Sequence, residues 1–198
     1  MAEARRARSE LSVGGRGMRS TGWWGMLCLI STEGILFAYL IFSYAYLGAQ
    51  APGGWPPEGA PALTLALPNT ILLVASSLVL EFGSRRYKSG RSSSVVWALL
   101  ITAAMGALFI GVQVREWSNK SFAITDSSYG SIYYTLTGFH LAHVVIGIIA
   151  LLALAIWGTE GKLHPGGMHL SLGRLYWHFV DAVWLVLFLS LYLVPQQP

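Results

Sequence analysis

Several polar side chains lie inside long apolar runs of this sequence, and most of them are types that transfer protons or bind metal ions. They are Glu33, Gln113, Glu116, His140, His143, His178 and Asp181. A charged group at the centre of a bilayer costs roughly 2.5–3.5 kcal/mol on insertion scales, so each ionisable residue needs a functional or a structural reason to be there. Each is a candidate site residue.

Two histidines three residues apart suggest one possible chemistry. His140 and His143 share a helical face, so they could bind one metal ion, with His178 as a third ligand. Haem in a helical bundle usually needs histidines on two facing helices, and only His178 is left for the second helix. We therefore favour hydrogen bonds from these imidazoles to neighbouring helices or lipid headgroups, with metal or haem binding as the alternative.

The acidic residues also leave alternatives open. Glu33 has no basic residue in its own span, so it is either protonated or it meets a histidine or a lipid ammonium group from outside its helix. A proton-relay role and a structural hydrogen bond are both compatible with this position. His178 and Asp181 share one helical face, which suits a hydrogen-bonded polar patch between helices.

Other kinds of site are not indicated. Cys28 is the single cysteine and lies in an apolar run, so a disulfide framework is excluded. Neither a Ser/His/Asp nor a Cys/His constellation occurs at motif spacing, and a Gly-rich phosphate loop is missing, which argues against a nucleotide-driven pump. The net charge of +4 comes from basic residues in the N-terminal tail and in short loops, where they indicate membrane topology, so we do not expect nucleic-acid binding.

The composition predicts that these residues lie on membrane-spanning helices. The chain of 198 residues is 54% hydrophobic and 11% charged, with a mean hydropathy of +0.54, whereas a soluble domain carries about 25% charged residues. We predict an all-α membrane bundle over residues 23–194 that follows a basic tail, residues 1–22, which we expect to be retained rather than removed as a signal peptide. The predicted spans are about 23–47, 63–82, 95–117, 129–157 and 173–194.

Basic residues also predict the orientation. The tail and the loop 83–94 carry most of them, whereas Lys120 lies in a loop on the opposite side of the membrane. Because basic loops stay in the cytoplasm, we expect a cytoplasmic N-terminus and an external C-terminus.

Ordered motifs give the chain a family resemblance. The segment 176–184, YWHFVDAVW, resembles the signature of the last helix in subunit III of haem–copper terminal oxidases. Three further segments match the family in the right order: STEGILF at 31–37, GVQVREW at 111–117 and TGFHLAHVVIG at 137–147. The segment PNT at 68–70 resembles its LNT helix start, with Pro68 in place of Leu. The similarity extends over about residues 23–194.

The resemblance implies a five-helix form that lacks the first two of the seven spans in larger members. In the larger members that pair borders a lipid-filled cleft. The family's lipid-facing carboxylate and histidine correspond to Glu33 and His143, with His140 as a further candidate for lipid binding or proton-uptake support. Gln113, Glu116, His178 and Asp181 are then structural polar residues. No catalytic residue, metal site or cofactor is implied in this chain.

The implied function is that of a non-catalytic subunit III in a proton-pumping oxidase of the inner (plasma) membrane. It would stabilise subunit I and support its proton uptake, with haem and copper in subunits I and II and with bound phospholipid. Gln113 and the GFHLAHV segment favour cytochrome c as the electron donor. A quinol oxidase subunit or a homologue associated with nitric oxide reductase are the alternatives within the family. An independent transporter or haem carrier that uses Glu33, His140 and Asp181 as a relay is the alternative of another class.

Overall fold

Five long helices make up the fold. The computed structural model describes residues 21–57, 59, 61–88 and 92–194, so the predicted basic tail falls almost entirely outside the described residues. The helices are α1 Thr21–Ala49, α2 Leu63–Lys88, α3 Ser92–Ser118, α4 Ser128–Thr159 and α5 Met168–Phe188, which continues as a π-helical turn, Leu189–Leu193. The described residues contain no strand. This confirms the prediction of an all-α fold with five helices that are long and apolar enough to span a membrane.

The helices are long enough to extend through both membrane interfaces. At 1.5 Å per residue, α1, with 29 residues, is about 43 Å long, which covers the 30 Å hydrocarbon core and both interfaces. Helix α2 continues beyond the predicted span at 82 to Lys88, and in this extension Arg85 lies one turn after Glu81 and bonds to its carboxylate.

Helices α2 to α5 form a closed bundle, and α1 lies at its edge. Each of the four bundle helices packs on the next, α5 also packs on α2, and α1 packs on α4 and α5. Only 6% of the apolar span of α1 is buried, against 39–50% for the other helices. Phe37 and Tyr44 are the buried residues of α1, whereas Ile35 and Tyr39 are each 69% exposed. In a membrane those exposed side chains face lipid or another subunit.

The indole of Trp177 is the centre of the bundle packing. It is fully buried on α5 between two glycines, one on α3 and one on α4. A Cβ added at Gly106 would lie 2.7 Å from Trp177 Cη2, and one at Gly147 would lie 2.9 Å from Cε3. Trp177 Nε1 donates to Ser76 Oγ on α2 at 3.0 Å. One side chain therefore contacts the other three bundle helices, and small residues make room for it.

Candidate functional site

The clearest candidate site lies where α1 meets the bundle. Glu33 Oε2 on α1 is 3.1 Å from His143 Nε2 on α4, and the side chains are 28% and 11% exposed, respectively. His143 Nδ1 donates to the carbonyl oxygen of Phe139 at 2.7 Å, and because a carbonyl only accepts, Nδ1 carries a proton. The contact between Nε2 and Oε2 then needs one further proton, which either residue can hold. With that proton on His143 the pair is an imidazolium and a carboxylate, and with the proton on Glu33 it is a neutral imidazole and a carboxylic acid. The net charge of the pair is therefore zero in both forms.

Aromatic groups fix the His143 ring at this edge. The Phe37 ring meets the imidazole edge-on with 5.1 Å between centroids. Tyr176 Oη of α5 donates to the backbone carbonyl of His143 at 3.3 Å. The pair therefore lies at a junction of α1, α4 and α5 and retains partial access to the surroundings of the bundle.

His140, one turn earlier on the same helix, has a different environment. It is 0% exposed, and neither of its ring nitrogens bonds to another described residue. Aromatic rings surround it: Trp184 at 4.9 Å, Phe109 at 5.8 Å and Phe37 at 6.5 Å between centroids. The two histidines share a helix face but have different polar neighbours, and the ring of Phe37 contacts both.

His178 and Asp181 are joined through a third residue on α2. Ser77 Oγ donates to Asp181 Oδ2, and His178 Nδ1 lies 3.1 Å from the same Ser77 oxygen. Because a serine has one hydroxyl proton, which here goes to Asp181, the contact from His178 is a donation by Nδ1 to Ser77. This chain of hydrogen bonds holds α5 to α2.

Glu116 organises a second buried cluster near the ends of α3 and α5. Its Oε1 accepts hydrogen bonds from Tyr192 Oη at 2.7 Å and Tyr133 Oη at 3.3 Å. Lys120 Nζ lies 3.2 Å from the same oxygen. Sequence reasoning missed all three partners, although Lys120 at i+4 from Glu116 was a readable signal. Gln113, one turn away, is fully buried, and its amide makes no hydrogen bond to another described residue.

A third polar cluster lies at the opposite end of the bundle. Glu81 Oε1 accepts from Arg85 Nε at 2.8 Å, and Oε2 contacts Arg174 of α5. Among the described residues, no three His, Cys, Asp or Glu side chains come together in a way that could hold a metal ion. The predicted polar residues are thus distributed over separate interhelical contacts.

Comparison with known sequences identifies the family. The model of the family described as Cytochrome c oxidase subunit III matches residues 14–195. The chain belongs to this family. A cytochrome c oxidase subunit 3 from Synechocystis sp. is 34% identical over 176 residues, covering 86% of this chain and 75% of the relative. A probable cytochrome c oxidase subunit 3 from Nocardia farcinica is 38% identical over 175 residues and covers 86% of each chain. One from Tachyglossus aculeatus aculeatus is 36% identical over 182 residues, covering 85% of this chain and 68% of the relative.

Membership confirms the resemblance inferred from the motifs. The chain is a multi-pass membrane protein, a subunit III of a haem–copper oxidase that works in a complex with other oxidase subunits. Within this subunit III fold, Glu33 and His143 differ from the other polar residues because they join the edge helix to the bundle and stay partly exposed. They are the candidate site of the chain.

Proposed function

We propose that this subunit III is non-catalytic, stabilises subunit I of its oxidase, and supports proton uptake through Glu33 and His143. Subunits I and II would carry the haem and copper, and cytochrome c would supply the electrons. One observation carries this proposal: Glu33 Oε2 lies 3.1 Å from His143 Nε2 at the partly exposed edge of the bundle.

The stabilising role rests on how the interior polar groups are used. Glu116 joins α3 to α4 and α5, and Asp181 joins α5 to α2 through Ser77. Groups engaged in such contacts hold helices in register, because hydrogen bonds and close packing drive helix association in lipid. A bundle built in this way offers subunit I a rigid docking partner.

The proton-uptake role rests on the Glu33–His143 pair. A proton can move between Oε2 and Nε2 across 3.1 Å without changing the net charge of the pair. Such a pair can exchange a proton with water or a lipid headgroup at the membrane-facing edge while His143 stays fixed by Phe139. The same exposed edge suits binding of a phospholipid headgroup to Glu33.

A plasma-membrane location with the N-terminus in the cytoplasm completes the proposal. Arg85, at the end of α2, and Arg174, at the start of α5, meet at Glu81, so these cations lie at one end of the bundle. Lys120 lies beside Glu116 near the other end. By the positive-inside rule, this distribution supports a cytoplasmic location for the Glu81 end.

Proton-uptake kinetics of the assembled oxidase test the proposal. Glu33→Gln and His143→Gln are expected to slow proton uptake several-fold, measured with a pH-sensitive dye after mixing the reduced complex with oxygen. Haem content and subunit content should remain those of the native complex. Glu160→Gln is the matched control, because Glu160 pairs with Lys162 outside the bundle. Unchanged uptake in both site variants would refute the proton-uptake role.

Cofactor content tests the non-catalytic role separately. The chain purified alone is expected to contain neither haem nor copper, and the complex is expected to contain both. Haem bound stoichiometrically to the isolated chain would overturn the non-catalytic assignment and favour a haem carrier. Oxygen consumption with reduced cytochrome c, compared with that on a quinol, tests the electron donor.

A further inference from the structure

The side of α1 that faces away from the bundle carries a continuous stripe of exposed side chains. Phe37 and Tyr44 are buried against the bundle, and the stripe follows the opposite face of the helix. Its residues, which we call the outer stripe, are Cys28, Thr32, Ile35, Tyr39, Phe42 and Tyr46. We propose that a transmembrane helix of another oxidase subunit packs along the outer stripe and gives the Tyr39 hydroxyl a hydrogen-bond acceptor near the bilayer centre.

The depth of Tyr39 in the membrane carries the proposal. Helix α1 runs from Thr21 to Ala49, so Ile35 is its midpoint, and Tyr39 lies about 6 Å beyond it at 1.5 Å per residue. The hydrocarbon core extends about 15 Å to each side of the bilayer centre, so Tyr39 is about 9 Å inside it when α1 is centred in the bilayer. Helical side chains point back towards the N-terminus of their helix, which brings the phenol still closer to the centre. A side chain that is 69% exposed therefore presents a hydroxyl to hydrocarbon.

Neither α1 itself nor the lipid supplies an acceptor for this hydroxyl. Thr32 and Ser43 donate to carbonyl oxygens of their own helix, at 2.8 and 2.9 Å. The Tyr39 hydroxyl is held away from the backbone by a rigid ring, and it has no hydrogen-bond partner among the described residues. Acyl chains contain no acceptor, and the polar groups of the lipid begin about 9 Å away, at the edge of the hydrocarbon core. Because an unsatisfied hydroxyl in hydrocarbon is costly, an acceptor from another polypeptide is required.

The spacing of the outer stripe fits a second helix. Its positions are separated alternately by four and three residues, which is the repeat along which two helices cross at about 20°. Ile35 and Phe42, one turn to either side of Tyr39, are 69% and 65% exposed and would enclose the hydrogen bond between the helices. Only 6% of the apolar span of α1 is buried within this chain, so the face is open to a partner. Membership of an oxidase complex supplies such partners.

A second copy of this chain satisfies the outer stripe less well. Two copies have the same orientation in the membrane, so a symmetric pair would bring the two Tyr39 hydroxyls together. One hydroxyl would donate to the other, and the proton of the accepting hydroxyl would remain without a partner. A backbone carbonyl or a side-chain amide oxygen on a different helix accepts the proton and leaves no such remainder. The partner is therefore a helix of a different subunit that exposes an oxygen acceptor at mid-membrane depth.

Photocrosslinking of the assembled oxidase tests which molecule covers the outer stripe. Tyr39 would be replaced by the photoreactive analogue p-benzoylphenylalanine, and the purified complex would be irradiated in a bilayer. We expect a covalent adduct with a transmembrane segment of another oxidase subunit, mapped by mass spectrometry of the peptides. The same analogue at Phe42 is expected to react with the same segment. Adducts with lipid alone, or with a second copy of this chain, would overturn the proposal.

Removal of the hydroxyl alone tests the hydrogen bond. Tyr39→Phe is expected to weaken the retention of subunit III about 3-fold, the size of an average hydrogen bond between membrane helices, in a detergent titration followed by native mass spectrometry. Tyr46→Phe is the matched control, because Tyr46 lies on the same stripe three residues before the end of α1, where water and lipid ester groups can accept its proton.

Two results of this titration would contradict the hydrogen bond. Retention of Tyr39→Phe equal to that of the native chain would mean that the hydroxyl has no partner in the complex. Equal losses for Tyr39→Phe and Tyr46→Phe would mean that depth in the membrane does not decide which hydroxyl needs one. Neither result depends on the proton-uptake role of Glu33 and His143, which is measured in a separate assay.

Discussion

The interior of the α2–α5 bundle and the α1 edge use the same kinds of polar residue for different purposes. His140 and His143 make the contrast clear, since they are three residues apart on α4. His140 is enclosed by aromatic rings in the interior, and His143 faces Glu33 at the edge with its side chain 11% exposed. An imidazole without proton access can only fill space and hydrogen-bond, whereas one at the edge can exchange a proton. Location within the bundle, rather than residue type, is therefore the basis on which we propose a functional role for His143.

The two regions also differ in what holds them together. Lipid tails are as apolar as leucine, so helices in a membrane associate through close packing and hydrogen bonds. The interior has both, with Trp177 between Gly106 and Gly147. Helix α1 buries only Phe37 and Tyr44 and is therefore the more easily displaced helix. Substitutions should reproduce this order, with large effects in the interior and small ones at the edge.

The largest effect is expected for Trp177→Ala. It would leave a cavity among four helices and remove the hydrogen bond to Ser76, which together should destabilise the bundle by about 3–5 kcal/mol. The thermal midpoint of the purified complex and its content of subunit III are the measurements. Trp97→Ala is the control, since Trp97 is 65% exposed. Equal effects of the two substitutions would contradict a central role for Trp177.

A smaller loss of stability is expected for Gly106→Ala, and Gly111→Ala on the same helix provides a direct comparison. Its Cβ would meet Trp177 at 2.7 Å, and overpacking of this kind costs about 1–3 kcal/mol. Gly111→Ala on the same helix has no atom within 4 Å of its Cβ and should be neutral or slightly stabilising because alanine favours helix. The thermal midpoint of the Gly106→Ala complex should therefore fall, and that of the Gly111→Ala complex should stay the same or rise slightly.

Asp181→Leu should weaken assembly more than it changes the chemistry of the oxidase. It leaves the Ser77 hydroxyl without its acceptor, which we expect to cost about 1–2 kcal/mol. The oxygen-reduction rate per assembled complex should stay near that of the native enzyme. Adding Ser77→Ala should recover part of the stability, which a double-mutant cycle would measure. Full assembly with complete loss of oxygen reduction would instead connect Asp181 to the reaction.

The smallest stability effect is expected at the edge. Glu33→Gln should cost about 0.6 kcal/mol, the average for a hydrogen bond between membrane helices. A double-mutant cycle with His143→Gln, measured as the thermal midpoint of the complex, would give the coupling energy of the pair. A coupling comparable to the Trp177→Ala effect would remove the distinction between edge and interior.

Much of this architecture was predictable because local sequence controls it. Long apolar runs predicted the helices, and the YWHFVDAVW segment at 176–184 predicted the family. For Glu33 the sequence left two alternatives open, a protonated carboxyl or a histidine or lipid ammonium partner from outside its helix, and the structure pairs it with His143. The remaining site assignments were beyond local reasoning. Ser77 between His178 and Asp181 is one example, because nothing in the sequence specifies how α2 and α5 are aligned.

The sequence by itself therefore determined the five membrane-spanning helices and which polar residues each one carries, since hydropathy and helical period are local properties. Only the tertiary structure decided which of those residues meet. The i,i+3 spacing puts His140 and His143 on one face, but rotation of α4 against its neighbours turns one inward and the other towards Glu33. Tyr192 likewise reaches Glu116 from the π-helical turn of α5. A helix fixes distances within itself, and packing fixes the distances between helices.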